Sequence, residues 1–162
     1  MNTSDTADRE VVLTRLVDAP RERVWEAFTK PEHLEQWWGP NGFSITTKEI
    51  DVREGGTWRF VMHGPDGTDY PNHIVFTELK EPERMSHDHG GDDGPSERLG
   101  RAGKVHFQAT ITFDEQDGKT LITMKSVFPT AEALAYVVKE HGAIEGGKQT
   151  LGRLAEYLAR WS

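Results

Sequence analysis

KVHFQATITF, residues 104–113, alternates without a break: Val105, Phe107, Ala109, Ile111 and Phe113 are apolar, while His106, Gln108, Thr110 and Thr112 are polar. A period of two puts successive side chains on opposite faces of a strand, so this segment has one dry face and one wet face. Strands wetted on one face belong to antiparallel sheets, because parallel strands are covered on both sides and read as continuous apolar runs. The same period recurs from Phe43 to Val52, Thr57 to His63, Tyr70 to Leu79, Arg84 to His89 and Thr120 to Phe128. Glu54-Gly55-Gly56, Pro65-Asp66-Gly67, Glu81-Pro82 and Gln116-Asp117-Gly118 separate these runs as turns, and the expected result is an antiparallel meander.

Upstream, the β-branched run EVVLTRLV (10–17) predicts a first strand. Pro20 and the apolar triplet Val24, Ala27 and Phe28 then predict a short helix that ends before Pro31. Thr29 and Glu32 have the spacing of a capping box, so a second short helix is expected from Pro31 to Trp38, stopped by Gly39-Pro40. Downstream, Thr130 to Trp161 reads as one long helix whose second half carries an apolar stripe at Ile144, Leu151, Leu154, Ala155 and Leu158. Gly142, Gly146, Gly147 and Gly152 cost that helix roughly 1 kcal/mol each relative to Ala, which points to a kink or a close approach. Asp88 to Gly103 is rich in glycine and is expected to be a long mobile loop.

The 162 residues fit one domain, expected over residues 10–162, with residues 1–9 a disordered N-terminal segment. Absence of cysteine excludes disulfides and thiolate metal sites and fits a reducing, cytoplasmic location. MNTSDTADRE has no basic or apolar signal region, and no run approaches the roughly 20 apolar residues of a membrane span, so membrane insertion is not expected. A net charge of −8 opposes binding to a polyanion, which argues against nucleic acid.

A curved antiparallel sheet with one dry face and a long helix with one apolar stripe satisfy each other by packing together, and a cavity between them is the expected by-product. Ala19-Pro20 through Trp25, Thr29 through Pro40, Asp51 through Phe60, Gly64 through Gly67, Glu81 through Arg84 and Glu145 through Leu158 carry a more specific likeness. Together they resemble the START-like helix-grip (Bet v-like, SRPBCC) superfamily, in its branch similar to the activator of heat-shock-protein ATPase homologue. The resemblance spans about residues 10 to 160. It implies an α+β fold in which a curved antiparallel sheet of six to seven strands wraps a long C-terminal helix, with two short helices after the first strand. It also implies a pocket for an apolar or aromatic small molecule. No universal catalytic residue comes with it, because the superfamily spans lipid carriers, receptors, polyketide cyclases and co-chaperone domains.

Trp58, Phe60 and Met62 alternate along one strand and Ile74 and Phe76 along the next, so they are candidates for the concave face. Trp58, Phe60, Met62 and Phe76, with Trp37, Phe107, Met124, Ile144 and Leu151, form the expected apolar ligand site, and His63, Asp69, His73 and Glu145 are its candidate polar groups. The adjacent tryptophans divide. Trp38 follows Leu34 by four and is expected to pack beneath the short helix, whereas Trp37 follows His33 and is expected at the pocket mouth. His87 and His89 stand where hydrophobic strand residues are usual, and their spacing fixes no third ligand, so no metal site is expected. No cofactor is expected either, since dinucleotide and phosphate-binding fingerprints and serine nucleophile elbows are absent. The expected function is sequestration of a hydrophobic, aromatic or polyketide-like molecule without demanding catalysis. The alternatives are a module stimulating a chaperone ATPase and a polyketide cyclase or dehydratase.

Overall fold

In the computed structural model, which describes residues 8–91, 107–141 and 143–161, the chain begins with β1 (Glu10–Val17), α1 (Arg21–Thr29) and α2 (Pro31–Trp37). There follow β2 (Ser44–Ile50), β3 (Thr57–His63), β4 (Asp69–Lys80), β5 (Arg84–Gly91), β6 (Phe107–Gln116) and β7 (Lys119–Val127), then α3 (Ala131–His141) and α4 (Ala143–Arg160). Among the described residues seven strands form one antiparallel sheet in the order β1-β7-β6-β5-β4-β3-β2. Strands β2 to β7 are thus a meander, and β1 returns to the far edge to pair with β7.

The register aligns the apolar positions of successive strands. Ala109 pairs with Ser126 on one side and His87 on the other, His87 in turn pairs with Phe76, and Ser126 pairs with Val11. Side chains directly opposite in antiparallel strands point to the same face. The dry face that KVHFQATITF announced therefore extends across the sheet, through Ile111, Met85 and Ile122 to Ile74, Phe76, Trp58 and Phe60, all buried. Helix α4 lays Leu151, Leu154 and Leu158 against this face, and α1 adds Val24, Trp25, Ala27 and Phe28. Burial of each large apolar side chain contributes about 1.5–3 kcal/mol, so this shared face is the main source of stability. Phe28 fastens the short helices to the sheet edge-on, with ring centroids 4.8 Å from Trp37 and 5.2 Å from Phe113.

Two local expectations are corrected, the cap of α2 and the extent of β5. Thr29 is not the cap of α2: its Oγ1 donates to the Trp25 carbonyl at 2.9 Å, and Lys30, extended at φ −109 and ψ 129, takes the cap position. Pro31 enforces this, since a residue preceding proline is driven out of the helical region. The C-terminal segment is helical on both sides of residue 142, as α3 and α4, and residue 142 itself lies outside the described residues. Strand β5 runs through Gly91, beyond the start of the expected loop at Asp88, whose remainder from residue 92 lies outside the described residues. Residues 1–7 of the expected disordered segment also lie outside the described residues, and the Arg9 guanidinium donates to the Phe128 carbonyl at 2.7 Å.

No helix among the described residues is long and apolar enough to cross a membrane.

Candidate functional site

Helix α4 meets β1 and the turn after α2 closely at two glycines. Gly146 and Gly147 occupy its first turns, where a Cβ on Gly147 would stand 2.5 Å from Leu13 Cδ1 and one on Gly146 would stand 3.4 Å from Pro40. The absence of side chains at these two points lets the first turns of α4 come close to Leu13 of β1 and Pro40 of the turn after α2. A cavity of about 310 Å³ lies between α4, the turn after α2 and the sheet. Its walls are Val11 and Leu13 of β1, Met62 of β3, Ala109 and Ile111 of β6, and Met124 of β7. Phe107 and Phe128, stacked with centroids 4.8 Å apart, line one end, and Trp38, Gly39 and Pro40 line another.

The turn carrying Trp38 is held from α4. Arg153 Nη1 sits among four carbonyl oxygens, at 2.9 Å from Gly39, 3.0 Å from Pro40, 3.2 Å from Phe43 and 3.4 Å from Trp38. Helix α2 ends at Trp37, and Trp38 is extended at φ −68 and ψ 134. Its indole leaves the helical stripe and packs edge-on against Trp58 at 5.1 Å.

Among the described residues the polar groups in the wall are few: His87, His89, Ser126 and Thr150. Thr150 turns its hydroxyl into its own helix, donating to the Gly146 carbonyl at 2.9 Å. His87 and His89 follow Met85 along β5 on the dry face, pairing with Ala109 and Phe107. Burial pushes the His87 imidazole down to about 4. Burial and then the neighbouring His87 push His89 down to about 3. Both rings are neutral at physiological pH, because a charged imidazole there would lose its hydration without gaining a counter-charge. His87 Nδ1 is buried and has no hydrogen-bond partner among the described residues, whereas His89 Nε2 lies 3.2 Å from Asn72 Oδ1. Among the described residues no group of three or more His, Asp or Glu is placed to hold a metal.

Met62, Phe107 and Met124, named from the sequence, line this cavity. The other apolar candidates do not border it. Trp58, Phe60, Phe76 and Leu151 are packed into the core, because the short helices and Trp38 cover the β3 end of the concave face. Ile144 is 37% exposed on α4, and Glu145 beside it is also exposed. The two tryptophans have exchanged places relative to expectation. Trp37 is fully buried and donates its Nε1–H to the Ala27 carbonyl at 3.1 Å, while Trp38 borders the cavity.

The candidate polar groups lie elsewhere. His63, Asp69 and His73 have the opposite parity to Trp58, Phe60 and Ile74 and stand on the outer face of the sheet. There His63 joins Asp69 at 2.8 Å on one ring nitrogen and Thr46 at 2.8 Å on the other, a surface chain that water screens. The ionisable residues that border the cavity among the described residues are the histidines of β5. The signal for them was present in the sequence, since His87 and His89 share the parity of Met85.

None of the curated proteins compared with the chain shows significant similarity to it. Solved structures do. A Mycobacterium smegmatis protein is 29% identical with a TM-score of 0.81, the match covering 96% of this chain and 94% of that one. An Arthrobacter aurescens protein is 27% identical with a TM-score of 0.84, covering 96% and 89%. A Nitrosomonas europaea protein is 25% identical with a TM-score of 0.80, covering 95% and 96%. The family model described as Activator of Hsp90 ATPase homolog 1-like protein matches residues 18–159, from the end of β1 through nearly all of α4, so the chain belongs to that family.

Proposed function

We propose that this protein binds a small hydrophobic molecule in the cavity between α4 and the sheet. The observation that carries the reading is the cavity itself: about 310 Å³, walled by Val11, Leu13, Met62, Ile111, Met124 and Phe107, and bordered by no Lys, Arg, Asp or Glu among the described residues. An empty apolar space of that size forfeits dispersion contacts that an apolar guest restores, and it lies at the small end of the range for ligand sites. Both β1 and α4 contribute walls, which supports reading the two ends of the described chain as parts of one domain.

Titration of the purified protein with N-phenyl-1-naphthylamine, followed by probe fluorescence and native mass spectrometry, tests it. Saturable one-to-one binding tighter than about 1 mM (roughly 4 kcal/mol) is expected, with loss of binding in Ala109→Leu, which fills the space from its floor. No binding in the parent protein sinks the reading. A cyclase role would have to use His87 or His89 as its base, since no other ionisable side chain borders the cavity among the described residues. A chaperone-directed role rests on the family description alone, and an unchanged Hsp90 ATPase rate on addition of the protein removes it.

A further inference from the structure

Two histidines, His87 and His89, bring ring nitrogens to the cavity wall. Asn72 Nδ2 donates to the Tyr70 carbonyl at 2.9 Å, which orients the amide so that Oδ1 meets His89 Nε2 at 3.2 Å. An amide oxygen only accepts, so the proton of neutral His89 resides on Nε2. Nδ1 of the same ring is then a bare lone pair on a side chain that borders an apolar space. Beside it His87 has a buried Nδ1 with no hydrogen-bond partner among the described residues, and the two ring centroids are 6.1 Å apart. A bare ring nitrogen on the cavity wall gains a hydrogen bond only from a guest that brings a donor, so the site favours such a guest. The described wall offers no cation for a carboxylate and no carboxylate for an amine, and burial of either charge without a partner is prohibitive. Rings at hand for stacking are Phe107, 4.5 Å from His89, with Phe128 behind it and Trp38 at the mouth.

Resting on the cavity-binding reading above, we infer that the ligand is an uncharged hydroxylated aromatic, a phenol or naphthol in class, whose O–H donates to His89 Nδ1 while its rings lie against Phe107.

The test compares 2-naphthol, naphthalene and 2-naphthoate on the full chain at neutral pH by calorimetry. Naphthol is expected to bind at least tenfold more tightly than naphthalene, with naphthoate the weakest. His89→Phe should abolish the preference for naphthol while naphthalene still binds. Asn72→Asp should turn the preference toward naphthoate, because a carboxylate on Nε2 stabilises the imidazolium and converts Nδ1 from acceptor to donor. That variant keeps the test open if His89→Phe does not fold. Nitrogen-15 NMR of the imidazoles supplies a readout independent of affinity: Nε2 of His89 protonated, Nδ1 bare, and Nδ1 shifting when naphthol is added. Equal binding of naphthol and naphthalene, or a protonated Nδ1, overturns the inference and leaves the cavity reading standing. Failure of all three compounds to bind removes both.

Discussion

Acidification from pH 7 to pH 5 should weaken the fold through His87 and His89, well before its carboxylates titrate. In the folded chain these imidazoles stay neutral until about pH 4 and about pH 3, whereas in the unfolded chain they take up protons near the ordinary histidine value of 6.5. Between those limits the unfolded state binds more protons, so stability falls as pH falls. From pH 7 to pH 5 the linkage amounts to about 2 kcal/mol per histidine, and ~4 kcal/mol if the two act independently, a large share of a typical domain's 5–15 kcal/mol. Asp66, held low chiefly by the Thr68 backbone N–H, and Glu78, held low chiefly by its hydrogen bond from Arg84, weaken the fold only at lower pH. Urea unfolding followed by far-ultraviolet circular dichroism measures the effect, and a chain of this size should lose roughly 2 M in midpoint. The double variant His87→Gln, His89→Gln keeps amide hydrogen bonding without titrating and should lose far less over the same interval. A parent midpoint that does not move, or an equal loss in the double variant, would refute the reasoning.

Two further outcomes follow from packing. Trp37→Ala should cost about 3–5 kcal/mol in urea unfolding, from the void left and the unpaired Ala27 carbonyl, whereas Trp38→Ala should cost less and weaken naphthylamine-probe binding at least tenfold. Equal effects of the two changes on binding would contradict the placement. Gly152→Ala should raise stability by about 1 kcal/mol, since the new methyl meets only Arg15 Nη1 at an ordinary 3.8 Å, while Gly147→Ala should forgo that gain by forcing Leu13 aside. A loss of stability in Gly152→Ala would show that the helix cannot take a side chain there.

Period-two alternation located every strand of the meander because the dry face is continuous, and the neighbours of KVHFQATITF share its pattern. Individual site residues were harder to read, for two physical reasons. The exchange of Trp37 and Trp38 turns on a single residue: with α2 running through Trp38, the i+4 relation to Leu34 would bury it, but the helix ends at Trp37 and the rule no longer applies. His63, Asp69 and His73 were read as polar pocket groups although their parity opposes Trp58 and Phe60, and β3–β4 pairing puts them on the outer face. The division of the concave face into core and cavity was not legible at all. It depends on which end of the sheet α1, α2 and Trp38 cover, a long-range arrangement that leaves no local pattern in Trp58, Phe60 or Phe76. His87 and His89 were readable as a pair on one strand face, but their neighbours across β4 and β6 became known only from the register.

Arg153 has a consequence for how the family can diversify. One guanidinium nitrogen gathers carbonyls from Trp38, Gly39, Pro40 and Phe43, so the number of residues in that turn is set by a side chain on α4. An inserted residue would carry at least one of those oxygens out of reach and drag Trp38 from the rim. The hairpin at Asp117-Gly118, where both residues have positive φ and nothing crowds Gly118, carries no comparable constraint. New ligand preferences at this rim are therefore expected to arise by exchange of side chains at fixed length, and insertions and deletions to collect in the distal hairpins.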